Sequence, residues 1–114
     1  MSKRVLNISY DESLLQTRHW ILEQAGYEVK SALGFMEAEA ECRNGRFDLV
    51  IVGHSLPRRD KIALAEATRS GCRAKVLSLR KQGQEPIPEA DYASDSIDPD
   101  GLLEAVRNAL GSAG

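Results

Sequence analysis

The sequence predicts an α/β fold, a doubly wound parallel sheet with helices on both faces. Short apolar stretches alternate along the chain with segments whose apolar residues recur at helical spacing. The clearest strand, residues 47–52, is rich in continuous apolar and β-branched residues, which is typical of a central parallel strand buried on both faces. Strands that alternate with helices in this way form parallel sheets with right-handed crossovers. The 114 residues are expected to form a single domain, 1–114.

The first half of the chain is interpreted as two strand–helix units. A short strand at residues 5–8 precedes a helix over about residues 12–25. Gly26 ends this helix, because glycine is common just past a helix C-terminus. A second strand is expected at residues 27–32. The apolar stripe of the next helix, which Asn44-Gly45 closes, consists of Phe35, Ala38 and Cys42.

The second half contains three predicted strands and two helices. The strand at 47–52 is followed by a loop at 53–57, a helix over about 60–70 and a strand at 75–79. Tyr92-Ala93 is a candidate fifth strand. The last helix opens with Asp98 as its N-cap and Pro99 in its first turn. Its buried stripe consists of Leu102, Leu103, Val106, Ala109 and Leu110.

The connection between the fourth and fifth strands, residues 80–90, lacks a helical pattern. Gly83, Pro86 and Pro88 interrupt any helix, since proline has no N–H and glycine costs helix stability. We therefore expect an irregular loop with at most one turn.

The composition excludes several classes of protein. Fifteen basic and 17 acidic residues give a net charge of −2, which predicts neither a nucleic-acid footprint nor a membrane surface. Cys42 and Cys72 are not at metal-ligand spacing, so they are expected to be reduced thiols, and no metal or cofactor is predicted. The first residues lack the apolar run of a signal peptide, and no stretch approaches transmembrane length. A soluble, cytoplasmic protein is expected.

Four stretches of the chain together resemble a response-regulator receiver domain, the CheY-like module of two-component phosphorelay signalling. They are LEQAGYEV at 22–29, FDLVIVGHSLP at 47–57, Asp60 in place of the usual Asp-Gly pair, and the last strand and helix at 91–110. The resemblance implies a flavodoxin-like, five-stranded parallel sheet of order 2-1-3-4-5. It also implies a helix between strands 4 and 5, which the residues at 80–90 predict to be shortened or lost.

The resemblance further implies a site of phosphoryl transfer to an aspartate at the end of the third strand. An acidic pair after the first strand holds magnesium, and a hydroxyl and a lysine stabilise the phosphoryl oxygens. In this chain the acidic pair falls on Ser9 and Tyr10, and the phosphoacceptor on Gly53. The hydroxyl position falls on Ser78 or Arg80, the lysine on Asp95, and the proline after it on Ser96.

These substitutions predict a degenerate receiver with no catalytic residues and no enzymatic activity. Glycine has no side chain on which an acyl phosphate could form. Ser9 and Tyr10 bring no charge to a divalent cation, and Asp95 puts an anion where the family has a cation. Tyr10 is expected to fill the space of the ion as a structural plug.

The leading hypothesis for function is a pseudo-receiver that works by phosphorylation-independent protein–protein interaction. Its partner would be a histidine kinase, another regulator or a second copy of the chain, so that a homodimer is possible, without nucleic acid or membrane. Trp20, next to the predicted buried pair Ile21-Leu22, is expected to pack at the edge of the core; the alternative is an exposed anchor for a partner.

The alternative function is a receiver-like sensor that binds an anion or small ligand at the C-terminal ends of the strands. Its candidate residues are Arg58, Arg59 and Arg80, together with Gly53, because ligands of such folds bind beyond the carboxyl ends of the strands. Lys61 belongs to the same small basic patch. His54 is interpreted as a loop histidine rather than a ligand, since no metal-binding partner stands at suitable spacing. A flavodoxin-like enzyme is disfavoured because the sequence lacks a phosphate-binding glycine loop, a triad and a metal motif.

Overall fold

Five strands and four α-helices are present in a computed structural model that describes residues 2–72, 74–81, 83–95 and 98–111. The elements in chain order are β1 Arg4–Ser9, α1 Glu12–Gln24, β2 Glu28–Leu33, α2 Gly34–Asn44, β3 Leu49–Val52, α3 Arg58–Ala67, β4 Lys75–Leu79, β5 Tyr92–Ser94 and α4 Pro99–Leu110. A wider helical turn, Thr68–Cys72, extends α3.

The strands form one parallel sheet of order β2-β1-β3-β4-β5, which confirms the predicted topology. In the register of the central strands, Ile8 pairs with Val52 and Val52 with Ser78. Because parallel strands end at the same edge, the residues after β1, β3, β4 and β5 meet at one rim of the sheet. The sheet therefore assembles the positions at which the sequence predicted a site.

Alternate residues of each strand pack on opposite faces, as the two-residue period of a strand requires. Leu6, Val50 and Val76 lie in the apolar cluster beneath α2 and α3. Val5, Ile51 and Leu77 lie in the cluster beneath α1 and α4. Both faces of the central strands are thus buried, which explains the continuous apolar run in β3.

The ends of α1 have clear local causes. The side chain of Asp11 accepts a hydrogen bond of 3.1 Å from the N–H of Leu14 and so caps the first turn. Gly26, with φ of 100°, follows the last residues of the helix in a left-handed conformation that glycine adopts readily. At α4, Asp98 occupies the N-cap position and Pro99 the first turn as predicted, but the Asp98 side chain makes no capping hydrogen bond.

No helix connects β4 and β5 in the described part of that segment, as its glycine and prolines predicted. The segment is held instead by the side chain of Ile87, which is buried in the cluster beneath α2 and α3. Arg58 donates from Nη1 to the carbonyls of Glu85 and Pro86, at 3.4 and 3.2 Å. The connection between Leu79 and Tyr92, called the strap below, is therefore irregular and is bonded to the start of α3.

Several element boundaries differ from the predicted ones by one to three residues. β3 begins at Leu49 rather than 47, because the backbone before it turns to let the Asp48 carboxylate accept from the N–H of Arg4, at 2.8 Å. β2 runs one residue later, at Glu28–Leu33. α3 begins at Arg58, directly after Pro57, rather than at 60. Within the described ranges, no helix is both long and apolar enough to span a bilayer.

Candidate functional site

The C-terminal rim of the sheet is the place to look for a site, since ligands of open α/β sheets bind beyond the carboxyl ends of the strands. Ser9 ends β1, Gly53 follows β3, Arg80 follows β4 and Asp95 follows β5. The structure therefore brings the predicted positions to one edge. Their surroundings differ, and they fall into three groups: Gly53 with Arg18, Ser9 with Tyr10, and the ends of β4 and β5.

Gly53 stands at the centre of the rim and has no room for a side chain. Its N–H donates to the carbonyl of Ile8 at 3.0 Å, which holds the two backbones close together. A Cβ at this position would lie 2.8 Å from that same carbonyl oxygen and 3.3 Å from Nη1 of Arg18. The position thus requires glycine by close approach, and an aspartate could not be placed there without movement of β1 or α1.

Arg18 is the charged group that faces Gly53. It lies on α1, its residue is only 7% exposed, and its Nη1 has no hydrogen-bond partner among the described residues. Burial lowers the pKa of the guanidinium below its ordinary value, and the negative charge of Asp11 opposes this shift. Arginine nevertheless stays protonated in proteins, so a buried positive charge occupies the centre of the crevice.

The sequence contains a signal for Arg18, although reasoning from the family's pattern missed it. Arg18 is three residues after Leu15 and four before Leu22, so that it lies on the buried stripe of α1. A charged residue on such a stripe must be buried or snorkel to the surface.

Ser9 and Tyr10, to which the resemblance assigned the acidic-pair positions, belong to a network of hydroxyl hydrogen bonds. The Ser9 and Ser55 hydroxyls are 3.1 Å apart, and Oγ of Ser55 accepts from the N–H of Tyr10 at 2.9 Å. Oγ of Ser9 also accepts from the N–H of Asp11 at 3.0 Å. These hydrogen bonds tie the loop after β1 to the loop after β3.

The side chain of Tyr10 adds a further connection between the loop after β1 and the start of α3. Its phenol donates to Oδ2 of Asp60 at 2.5 Å, across the mouth of the crevice, and its ring packs against the core. Burial, together with the Asp60 carboxylate, raises the pKa of Tyr10 to about 12. The phenol therefore remains a neutral hydrogen-bond donor. Asp60, which stands where the family has its Asp-Gly pair, accepts this hydrogen bond.

In the described residues, β4 has no hydroxyl level with Gly53, and the position that the resemblance assigned to the lysine after β5 holds Asp95. Ser78 pairs with Val52, so the residue level with Gly53 on β4 is Leu79, which is buried and carries no hydroxyl. Ser78 is buried on the opposite face, without a hydrogen-bond partner for Oγ in the described part of the chain. Asp95 is exposed directly after β5. Ser96 lies outside the described residues.

His54 is half-buried next to Gly53. Burial, followed by the positive charges of Arg18, Lys81 and Lys61, lowers the pKa of its imidazole below 6.5. Its Nδ1 is buried and has no hydrogen-bond partner among the residues described. In those same residues, no group of three His, Cys, Asp or Glu side chains is placed to hold a metal ion.

The three arginines predicted to bind an anion do not all lie on the same side of the rim. Arg59 points into solvent, with a side chain 90% exposed, and its nearest acid is Asp60 at 4.0 Å. Arg58 and Arg80 both reach the strap, where Nη1 of Arg80 donates to the carbonyl of Gln84 at 3.3 Å. Lys61, which the sequence reasoning placed in the same basic patch, lies near Arg58 and Arg80 and is buried on α3.

Trp20 contradicts the expectation that it packs at the edge of the core. Its residue is 63% exposed on α1, on the side away from Arg18 and Leu22. The exposed indole and the buried arginine both run against the ordinary division of a helix into an apolar and a polar face, so polarity alone could not assign either side chain. Met36, at the start of α2, is likewise exposed.

Comparisons with known proteins place the fold. No protein-family model and no curated protein matches the chain. Solved structures do: the response regulator CheY4 of Vibrio cholerae, at 25% identity, covers 96% of this chain and 100% of its own, with a TM-score of 0.83. A CheY-like receiver domain from Methanospirillum hungatei, at 26% identity, covers 96% and 94%, with a TM-score of 0.80.

A third similar structure is a complex of the histidine kinase ThkA with the response regulator TrrA. At 25% identity it matches over 96% of this chain and 99% of the other, with a TM-score of 0.79. Coverage is nearly end to end in all three cases. This protein therefore has the fold of the CheY-like receiver domains found in two-component response regulators.

Proposed function

We propose that this chain is a receiver domain that takes no phosphoryl group and acts by binding a protein partner in one fixed conformation. The observation that carries the proposal is the contact geometry of Gly53. No side chain is present at the end of β3 to accept a phosphoryl group, and the Ile8 carbonyl and Arg18 occupy the space around it.

The metal-binding half of the reaction also lacks support. Mg²⁺ requires oxygen ligands, usually with carboxylate charge, in near-octahedral geometry. Ser9 and Tyr10 supply none of that charge, and Asp60 accepts from the Tyr10 phenol. The buried guanidinium of Arg18 would in addition repel a divalent cation at the same rim.

The hydroxyl network supports the proposal of a fixed conformation. In a switchable receiver the loops around the site must rearrange when phosphoryl groups come and go. Here Ser9, Tyr10, Ser55 and Asp60 join those loops through side-chain hydrogen bonds that need no ligand. The loop contacts are therefore complete in the unmodified protein.

The partner we favour is a histidine kinase. TrrA, one of the structural neighbours, is found in complex with the kinase ThkA. On this chain the exposed indole of Trp20 provides the kind of anchor that protein interfaces favour. Another regulator or a second copy of the chain would be a different outcome of the same binding experiment.

The first experiment measures modification. The protein is incubated with acetyl phosphate and Mg²⁺, and its intact mass is recorded beside that of TrrA from Thermotoga maritima, a structural neighbour solved in complex with Mg²⁺ and BeF. The control should gain one phosphoryl group, and this chain none. A phosphorylated fraction comparable to the control would refute the proposal.

The second experiment measures binding. The affinity for the cytoplasmic region of a cognate histidine kinase is determined with and without acetyl phosphate, for the wild type, Trp20→Ala and Gln16→Ala. We expect an affinity that the phosphodonor leaves unchanged and that only Trp20→Ala reduces, since Gln16 is an exposed polar residue of the same helix. Self-association, read by sedimentation, would replace the kinase by a second copy.

A further inference from the structure

A cavity of about 270 Å³ lies between the start of α3 and the strap that replaces a helix between β4 and β5. It lies beside the Gly53 crevice and is not part of it. Its lining combines the first turn of α3, the loop before it and the strap, namely Leu56, Arg58, Lys61, Gln84, Glu85 and Ile87.

Positive charge is concentrated at one wall of this cavity. Lys61 is 4% exposed, and its ammonium donates one hydrogen bond, of 2.9 Å, to the carbonyl of Leu79. An ammonium has three donors, so this contact does not exhaust it. Arg58 bonds the strap through Nη1. Arg80 does not line the cavity, but its charge acts on Lys61 from nearby.

The acids near this wall do not balance the cations. Glu85 lines the cavity, but its side chain is exposed, and its contact with Arg58 is made through the main-chain carbonyl. Asp60 lies on the other side of α3, against Tyr10 and Arg59. In agreement with this excess, burial and then the charges of Arg80 and Arg58 lower the pKa of Lys61.

Two residues of the lining are apolar. Leu56 and Ile87 are both buried in the core cluster, and each presents part of its side chain to the cavity. Small-molecule sites commonly combine an apolar lining with a few placed polar groups, and they begin at a volume of about 300 Å³. A cavity of this size fits a small ligand with one charged group.

We propose that the cavity binds a small organic acid, with its carboxylate against Lys61 and Arg58 and its apolar part on Leu56 and Ile87. A carboxylate accepts charge-assisted hydrogen bonds from both cations, which shortens and strengthens them relative to neutral ones. The proposal does not depend on the absence of phosphorylation, because none of these residues takes part in the Gly53 crevice.

The test uses benzoate and its neutral isostere benzamide. Each is titrated into the ¹⁵N-labelled protein at constant ionic strength, and amide shifts are recorded by NMR. We expect saturable shifts for residues 56–61 and 84–87 with benzoate, and binding weaker by about tenfold or more with benzamide, as the loss of one charged hydrogen bond implies. Inorganic phosphate serves as a third probe and should bind more weakly than benzoate because it has no apolar part.

Matched variants localise the site. Arg58→Gln and Lys61→Met should each weaken benzoate binding about tenfold, whereas Arg59→Gln, which removes the same charge one residue away, should leave it unchanged. Thermal melting of each variant shows that it is folded. Equal binding of benzoate and benzamide, equal loss in Arg59→Gln and Arg58→Gln, or no saturable shift in the wild type would overturn the proposal.

Discussion

Nη1 of Arg18 lies 3.3 Å from the point that a Cβ of Gly53 would occupy. The two residues thus share one space: glycine leaves it open, and the guanidinium fills it from α1. In a receiver that is phosphorylated, this space belongs to the acceptor side chain. Because of this pair, a buried cation rather than an empty crevice lies where a larger residue at position 53 would place its side chain.

Substitution of Gly53 tests this close approach. Gly53→Ala should lower the free energy of unfolding by about 1–3 kcal/mol, because the new methyl group overlaps the Ile8 carbonyl at 2.8 Å. Urea unfolding gives the value. The control is Gly71→Ala, whose Cβ would have only an ordinary contact at 3.7 Å. If both alanines are equally tolerated, the backbone at Gly53 is less constrained than the geometry indicates.

Gly53→Asp should not restore phosphorylation. The new carboxylate would lie beside Arg18, and Ser9 and Tyr10 would still provide no acidic metal ligands. Intact-mass measurement with acetyl phosphate and Mg²⁺ reads this directly. A triple variant, Ser9→Asp, Tyr10→Asp and Gly53→Asp, is the companion because it supplies acidic metal ligands together with the new carboxylate. Phosphorylation of Gly53→Asp alone would show that the hydroxyl network does not block the metal.

Arg18 is expected to contribute little net stability. Removing a buried, incompletely paired charge and filling its volume with an apolar side chain is often neutral or stabilising by about 1–4 kcal/mol. Arg18→Met should therefore unfold at the same urea concentration as the wild type or a higher one, while Arg18→Ala should be less stable because it leaves a cavity. A loss of about 3 kcal/mol or more in Arg18→Met would mean that the guanidinium has a strong partner.

The architecture was predictable from the sequence because the apolar pattern is strong and local. β4 was located at its observed ends, and the breakers Gly83, Pro86 and Pro88 indicated the missing helix. Arg18 and Trp20 were not predicted correctly. The two residues are two positions apart on α1, so they lie on different sides of the helix. Which side is buried depends on the elements that face it, and Gly53 leaves space only on the side of Arg18.

The position of the candidate site could be predicted from the sequence, but not which of its side chains lie close to one another. Residue spacing placed Ser9, Gly53 and Asp95 at one rim, because parallel strands end together. It could not show that Arg59 points away from Arg58, since adjacent helical residues diverge by about 100° and the packing of α3 decides which one faces the strap. Lys61 was missed as a buried group for the same reason.

His54 provides a test in the acidic range. Its pKa is lowered by burial and then by the positive charges of Arg18, Lys81 and Lys61. Well above pH 6.5 the imidazole is neutral in both states, so it has no effect on the pH dependence of stability there. As the pH falls through 6.5, the unfolded chain takes up the proton first, and the free energy of unfolding should decrease. His54→Gln should lose less stability over this interval, and the His54 Cε1 proton, followed by NMR, should titrate below its ordinary range.

Tyr10 provides the corresponding test in alkali. Burial and the Asp60 carboxylate raise its pKa to about 12, so the folded state holds the phenolic proton more tightly than the unfolded chain does. This stabilisation is fully present below pH 10 and is lost as the pH rises through about 12. The absorbance of tyrosinate, recorded for the wild type and for Tyr10→Phe, should differ by one ionisation with its midpoint near 12. Asp60→Asn keeps the side-chain size but removes the charge, and it should bring that midpoint down without abolishing the effect of burial. A difference titration centred near pH 10 in the wild type would show that the phenol does not donate to Asp60, and the connection between the loops after β1 and β3 would then rest on Ser9 and Ser55 alone.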